Sequence, residues 1–519
     1  MKKCLLLVLA AVAVSSSAQI HPAAMPKIGA VDPRFQSYNI EMVEVIGGRF
    51  WKPYASQSGL GKAAAASNTP GGMDPALFEQ RSPINLANPR LRKLAAALGP
   101  AYVRVSGTWA NTVYFQDSDA PAPAKPPAGF GGVLTRAEWK GVVDFSKAVD
   151  AEIVTSVSAG KGTRDAAGVW TPAQAKSFLA YTRSVGGSIA AAEYINEPTF
   201  TSGADVPDGY DGAAFARDFA IFKRTFREAS PQTLIAGPGS VGEGYPLMPG
   251  APTAAMKFLP SKEMLAAMGP DAVDVFSYHF YGGVSERCST SMGGGGTSPA
   301  AALSEDWLAR TDQVEAFYAK LRDEYEPGKP MWVTETGQTA CGGDRWASTF
   351  LDSFRYVDQM GRLSRDGVKV IMHNTLAASD YGLIDEKTLA PRPDYWAALL
   401  WHRTMGTTVL DPGAAPAATV ALYAHCMVGH SGGVSVLAIN LSRTDAAVLS
   451  IPSKATRFTL SSKDLMSHTV DLNEQPLEIS GDGDVPKLVG MMTAKGMLSL
   501  PAASITFLTF AEANNPACR

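Results

Sequence analysis

Between about Tyr38 and Trp401 the chain alternates short apolar runs with longer stretches of helical period, and no other feature narrows its possible folds as far. A parallel strand cannot be reached through a tight turn. It needs a crossover of about a dozen residues or more, usually a helix, so the order β-α-β-α implies a parallel sheet. Strand-like runs lie at residues 102–105, 153–157, 192–195, 234–236, 273–278, 331–334 and 368–372, with a first strand running through Ile40. Helical patterns fill the intervals at residues 89–98, 136–149, 172–185, 212–229, 306–325 and 347–366. The count approaches the eight units of a (β/α)8 barrel, the α/β fold assigned to residues 38–402.

Beyond about Gly406 the period changes to two, as in residues 433–440 and 504–510. Residues 403–519 therefore read as a C-terminal antiparallel β-sandwich, to which residues 19–37 are available. At 46% hydrophobic composition, 519 residues are ample for one large domain and one smaller one. Two irregular stretches, residues 120–132 and 287–299, fall where strand-to-helix loops belong, the second carrying four consecutive glycines at 293–296. Such loops either build substrate subsites or are simple insertions.

The first 18 residues have the form of an export signal: Lys2 and Lys3, an apolar core at 5–14, and Ser16-Ser17-Ala18. The core is too short to span a bilayer, so a secreted or periplasmic protein beginning near Gln19 is expected, with Cys4 removed and no membrane partner. The remaining Cys288, Cys341, Cys426 and Cys518 lack zinc-site spacing; an even number in an exported chain favours disulfides, with three connectivities open. A net charge of -3, from 46 basic and 49 acidic residues, gives no footprint for nucleic acid.

Two glutamates fall at strand ends, where a (β/α)8 barrel builds its chemistry: Glu197, in Asn196-Glu197-Pro198, and Glu335, after Trp332-Val333-Thr334. They are 138 residues apart, room for two strand-helix units plus insertions, which places them on strands four and seven. A glycosidic bond breaks through a cationic transition state, so one carboxyl must protonate the leaving oxygen while another attacks the anomeric carbon. Glu197 fits the acid/base role and Glu335 the nucleophile; the blander alternatives are a loop carboxylate and a strand-end salt bridge. His279 has no second ligand at metal spacing nearby and reads as a neutral hydrogen-bonding residue. No metal or other cofactor is expected.

Four segments extend this pattern: residues 88–94 with 98–108; Asn196-Glu197-Pro198; Glu335-Thr336-Gly337 with Gly342-Gly343; and Val370 through Asp380-Tyr381-Gly382-Leu383-Ile384-Asp385-Glu386 to Pro393-Asp394-Tyr395-Trp396. In these the chain resembles the heparanase and β-glucuronidase family, glycoside hydrolase family 79. The resemblance implies Glu197 as acid/base and Glu335 as nucleophile. It also implies Asn196, Thr108 and Glu41 at sugar hydroxyls, and Tyr281 orienting the nucleophile or the sugar. Gly342, Gly343 and Tyr381 would hold the uronate carboxylate through backbone N–H groups and a hydroxyl, with Cys341 and Ser379 standing where the family has glycine. It further implies a Cys426–Cys518 bridge across the sandwich, leaving Cys288 and Cys341 to pair. The expected activity is retaining hydrolysis of β-linked glucuronic acid, in an oligosaccharide, polysaccharide or glycoconjugate, by a monomer. The alternatives are a neutral-sugar glycosidase of the same clan and a non-catalytic carbohydrate-binding protein.

Overall fold

The computed structural model describes residues 19–56, 74–245, 258–292 and 296–519. The expected export signal, residues 1–18, lies outside the described residues, as do 293–295 of the glycine run. Eight parallel strands close into a barrel: β1 (Gln36–Glu41), β2 (Ala101–Ser106), β3 (Ala151–Ser156), β4 (Ile189–Glu193), β5 (Leu234–Ser240), β6 (Val275–Tyr281), β7 (Met331–Gly337) and β8 (Val370–His373). Each pairs with its neighbours in chain order, and β8 closes on β1 through Ile371 opposite Gln36. Successive side chains point to opposite faces. Tyr102, Val154, Ala191, Ala236, Val275, Trp332, Val370 and Met372 pack together inside the barrel, while alternate residues meet the surrounding helices.

Side-chain caps fix where several helices begin. Asn88 accepts from Arg90 and Leu91 N–H before Pro89–Ala96, whose first-turn proline lacks an N–H that would otherwise be unsatisfied. Thr135 and Glu138 form a reciprocal box before Arg136–Ala148, and Asp211 caps Gly212–Ala229. The helix expected at 306–325 is two, Glu305–Leu308 and Arg310–Tyr325. The stretch expected to be irregular at 287–299 instead begins within a helix, Glu286–Met292. Strand β4 stops at Glu193 rather than Ile195, because the last residues to pair with it, Ser156 and Ala236, both lie opposite Glu193.

The second domain is an antiparallel sheet of nine strands facing a two-stranded sheet, Ala447–Ile451 with Gly496–Leu500. Lys27–Ala30 supplies its first strand, pairing with Met405–Leu410. Period-two alternation buries both faces of the large sheet. Val434, Val436, Leu508 and Phe510 meet Leu449 and Leu498 of the small sheet, while Leu437, Ile439, Ile505 and Phe507 join the barrel core. Helix Phe350–Arg365 sits at that junction. Its Gly361 leaves no space for a Cβ against the Tyr423 ring, and Tyr423 Oη donates to the buried Asp358 at 2.6 Å.

Disulfides join Cys426 to Cys518 in the sandwich and Cys288 to Cys341 beside the barrel mouth. No helix among the described residues is long and apolar enough to cross a membrane.

Candidate active site

The floor of the site is built by the same alternation that fills the barrel. Two residues beyond Tyr102 on β2 comes Arg104, two beyond Ala191 comes Glu193, and beyond Val275 come Ser277, His279 and Tyr281 in turn. Arg104 is fully buried and serves four groups. It donates to Glu193 Oε2 at 2.8 and 2.9 Å, to Asn196 Oδ1 at 2.7 Å and to Glu335 Oε2 at 2.8 Å, and its Nη2 lies 3.2 Å from His279 Nε2. Ser277 and Thr334 hydroxyls donate to Glu193 Oε1 at 2.8 and 2.7 Å. Burial opposes the charge on Glu193, but the Arg104 guanidinium and the two hydroxyls outweigh it and hold the carboxyl below its usual range. Glu193 and Arg104 are thus a fixed ion pair beneath the mouth.

Glu335 lies within β7 rather than just past its end. A register shift where β7 pairs with β6 brings Glu335 opposite His279, so that Thr334 and Glu335 both reach inward. Tyr281 Oη donates to Glu335 Oε1 at 2.7 Å while Arg104 holds Oε2. Both carboxylate oxygens are therefore fixed by donors, the arrangement an ionised carboxylate requires.

Glu197 follows β4 in a left-handed conformation, φ 54°. Arg104 has no acceptor, so the His279 nitrogen facing it, Nε2, must carry the lone pair and Nδ1 the hydrogen. His279 therefore donates from Nδ1 to Glu197 Oε1 at 3.1 Å. Burial holds His279 neutral, with a pKa lowered to about 4. Burial also pushes Glu197 up to about 7, with Glu193 adding to the rise and Arg104 opposing it. A ligand atom from each of Glu197, His279 and Glu335 lies within 4.8 Å of the others. That trio is the donor set most suited to a cation among the described residues, but the Arg104 charge already rests against two of its members.

A second cluster borders Glu335. Asn374 Nδ2, just beyond β8, donates to Glu41 Oε1 at 3.0 Å and contacts Tyr281 Oη at 3.0 Å and Tyr381 Oη at 3.1 Å. Burial first, then the charge of Glu335, raises Glu41 well above the usual carboxylate range, and its Oε2 has no hydrogen-bond partner among the described residues. Gly107, at φ 89°, is pressed against the Glu41 carboxylate, which would overlap any Cβ there. Cys341, Gly342 and Gly343 form a turn at φ 66, 82 and 83°, and Ser379 stands at φ 61°. A cysteine and a serine thus take the left-handed backbone, at a cost of roughly 1–2 kcal/mol for each residue. Gly343 N–H donates to Thr339 O at 3.2 Å, whereas Gly342 N–H meets no acceptor among the described residues. Thr108 opens the turn Thr108–Thr112 after β2 with its methyl facing Gly203, and no hydrogen bond joins it to these groups among the described residues.

The family profile "Glycosyl hydrolase family 79, N-terminal domain" matches residues 78–361, more than half of the chain. The chain belongs to glycosyl hydrolase family 79. It is a glycoside hydrolase. This family 79 chain is 26% identical over 494 residues to "Heparanase-like protein 2" of Arabidopsis thaliana, covering 84% of the one and 87% of the other. It is 24% identical over 496 residues to "Hyaluronoglucuronidase" of Hirudo nipponia, covering 86% and 94%. Its fold is shared with a 4-O-alpha-L-rhamnosyl-beta-D-glucuronidase from Fusarium oxysporum 12S at TM-score 0.61 and 12% identity, over 94% of this chain and 99% of that one.

Of the residues singled out from sequence, Glu41, Asn196, Glu197, Tyr281, Glu335 and Tyr381 are linked by hydrogen bonds through Arg104, His279 and Asn374. Gly342 and Gly343 lie beside them, with a Cβ on Gly343 falling 3.2 Å from that of Tyr381. Local sequence pattern assigns Arg104, Glu193 and Asn374 no role. Their signal is polarity at an inward position: arginine between Val103 and Val105, glutamate after three alanines, asparagine two residues beyond Met372.

Proposed function

We propose that the chain is a retaining glycosidase that cleaves β-linked glucuronic acid, with Glu335 as nucleophile and Glu197 as acid/base. The observation that carries this is the closeness of two unlike carboxyls, an oxygen of one within 4.8 Å of an oxygen of the other. Retaining enzymes hold the pair about 5–5.5 Å apart, whereas inverting enzymes need about 6.5–9.5 Å to seat a water. Their environments differ in the sense the mechanism needs. Glu335 is held by a cation and a hydroxyl, while Glu197 is half-buried with one neutral donor and a pKa near neutrality.

The chemistry follows from these contacts. His279 occupies Glu197 Oε1, so the acidic proton resides on Oε2 and passes to the leaving glycosidic oxygen. Glu335 attacks the anomeric carbon as that bond breaks and forms a glycosyl ester. Glu197, now a carboxylate, removes a proton from water; the oxygen of that water attacks the same carbon, releasing Glu335 and restoring the Glu197 proton. Asn196, whose Oδ1 accepts from Arg104, is the residue we assign to the sugar 2-hydroxyl.

Glucuronate is favoured among sugars by the turn and hydroxyl beside the nucleophile. Gly342 N–H and Tyr381 Oη can take up a carboxylate, and the curated relative of Hirudo nipponia is named for a glucuronidase activity. The chain acts outside the cytoplasm, on this view, once residues 1–18 are removed; its disulfides suit that compartment.

The test is hydrolysis of aryl β-D-glucuronide, glucoside and xyloside by the mature protein, with Glu335→Gln as control. Glucuronide turnover that disappears in Glu335→Gln is the expected result. Turnover of the neutral glycosides alone would keep the mechanism and reject the substrate.

A further inference from the structure

The Cys341–Gly342–Gly343 turn is held from behind by side-chain donors, one to each carbonyl. Ser285 Oγ donates to Cys341 O at 3.2 Å, Ser379 Oγ to Gly342 O at 3.1 Å and Arg287 Nη2 to Gly343 O at 3.1 Å. A peptide unit is planar and the N–H opposite its C=O belongs to the next residue, so Ser285 at Cys341 O sets the direction of Gly342 N–H, while Ser379 and Arg287 anchor the rest of the turn through Gly342 O and Gly343 O.

Arg287 does more than the other two. Its guanidinium also donates to Lys52 O and to the carboxylate of Asp380, the neighbour of Tyr381. It lies over the Tyr54 ring at 4.0 Å, while Tyr54 N–H donates to Asp380 at 3.2 and 3.3 Å. Its side chain is 2% exposed. One buried fork therefore ties the glycine turn to the Tyr381 loop. A planar guanidinium can serve a carbonyl and a carboxylate at once; a lysine ammonium has no such fork.

Resting on the uronide assignment above, we propose that Arg287, heading this layer of donors, is a positioning residue for uronate recognition. It fixes the gap between Gly342 N–H and Tyr381 Oη and so selects acidic over neutral sugars. Arg287 touches neither Glu197 nor Glu335, so its influence falls on binding rather than on bond breaking.

Steady-state kinetics on an aryl β-D-glucuronide would test this in the full-length mature enzyme. Arg287→Ala should raise KM about tenfold with kcat unchanged, the pattern of lost uniform binding, and Arg287→Lys should recover little of it. Arg287→Ala leaves Asp380 without its charge partner and is at risk of misfolding. Ser379→Gly is the second variant: it removes the donor to Gly342 O while relaxing a left-handed residue, and should raise KM by a smaller factor in the same direction. A fall in kcat at constant KM, full recovery by lysine, or an unchanged KM in Ser379→Gly would overturn the proposal. A wild-type enzyme that hydrolyses neutral glycosides but not the glucuronide would overturn the substrate assignment itself, and this proposal with it.

Discussion

Near neutral pH Glu197 is poised between its two forms, because burial lifts its carboxyl to about 7. Only the protonated form can assist the leaving group. On its alkaline side, kcat/KM for substrates with poor leaving groups should therefore fall about tenfold per unit above that pH, the limb of an essential acid. In Glu197→Gln, assayed with a phenol so acidic that it leaves unaided, that alkaline limb should vanish; a limb that persists would move the acid role to another group. His279 stays neutral throughout this range, its pKa held near 4 by burial. Both glutamates stand out in the sequence because a charged residue at the end of an apolar run can face only the mouth. Arg104 and Glu193 are harder to see, since each lies inside a strand where local pattern reads only as apolar. Their charges are tolerable because they neutralise each other, and the partner is 89 residues away.

Strand ends, more than strand existence, decide what the site looks like. The β7 register shift turns Glu335 inward beside Thr334, and the early end of β4 frees Tyr194, Ile195 and Asn196 to carry Glu197 round the rim. Neither is legible from apolar runs, because where a ladder stops depends on the length of the neighbouring strands. The helix beginning at Glu286 is illegible in the sequence for a related reason: its polar, cysteine-containing turn is held by tertiary bonds, including Glu286 N–H to Asp344 at 2.7 Å. The end of β2 offers a direct test. Gly107 is both left-handed and in contact with the Glu41 carboxylate. Gly107→Ala should displace that carboxyl from Asn374 and, through it, disturb Tyr281 and Tyr381. The displacement should lower kcat/KM about a hundredfold, the scale of an ångström-sized misplacement. Far-ultraviolet circular dichroism should remain that of the wild type; undiminished activity would remove Glu41 from the site.

The two domains share one core, since the large sheet of the sandwich buries one face against barrel helices. The barrel was readable because eight similar units repeat the same signal. The sandwich showed its period of two but not that both faces are covered, which depends on the partner rather than on the strand. The Cys426–Cys518 bridge closes a separation of 92 residues, worth about 4–5 kcal/mol in the chain-entropy model. Replacing both cysteines by serine should lower Tm while leaving kcat/KM at 25 °C unchanged; lost activity in a protein still folded would tie the sandwich to the mouth. Within the barrel the direct contacts of Arg104 hold the proposed nucleophile Glu335 together with Glu193, Asn196 and His279, whereas those of Arg287 hold the turn proposed to bind the uronate, and the two sets have no residue in common. Substitutions among the first set should be strongly epistatic, each felt by the others through one guanidinium. Those in the second can accumulate without disturbing bond cleavage, so descendants of such a chain are free to change their sugar long before they can change their reaction.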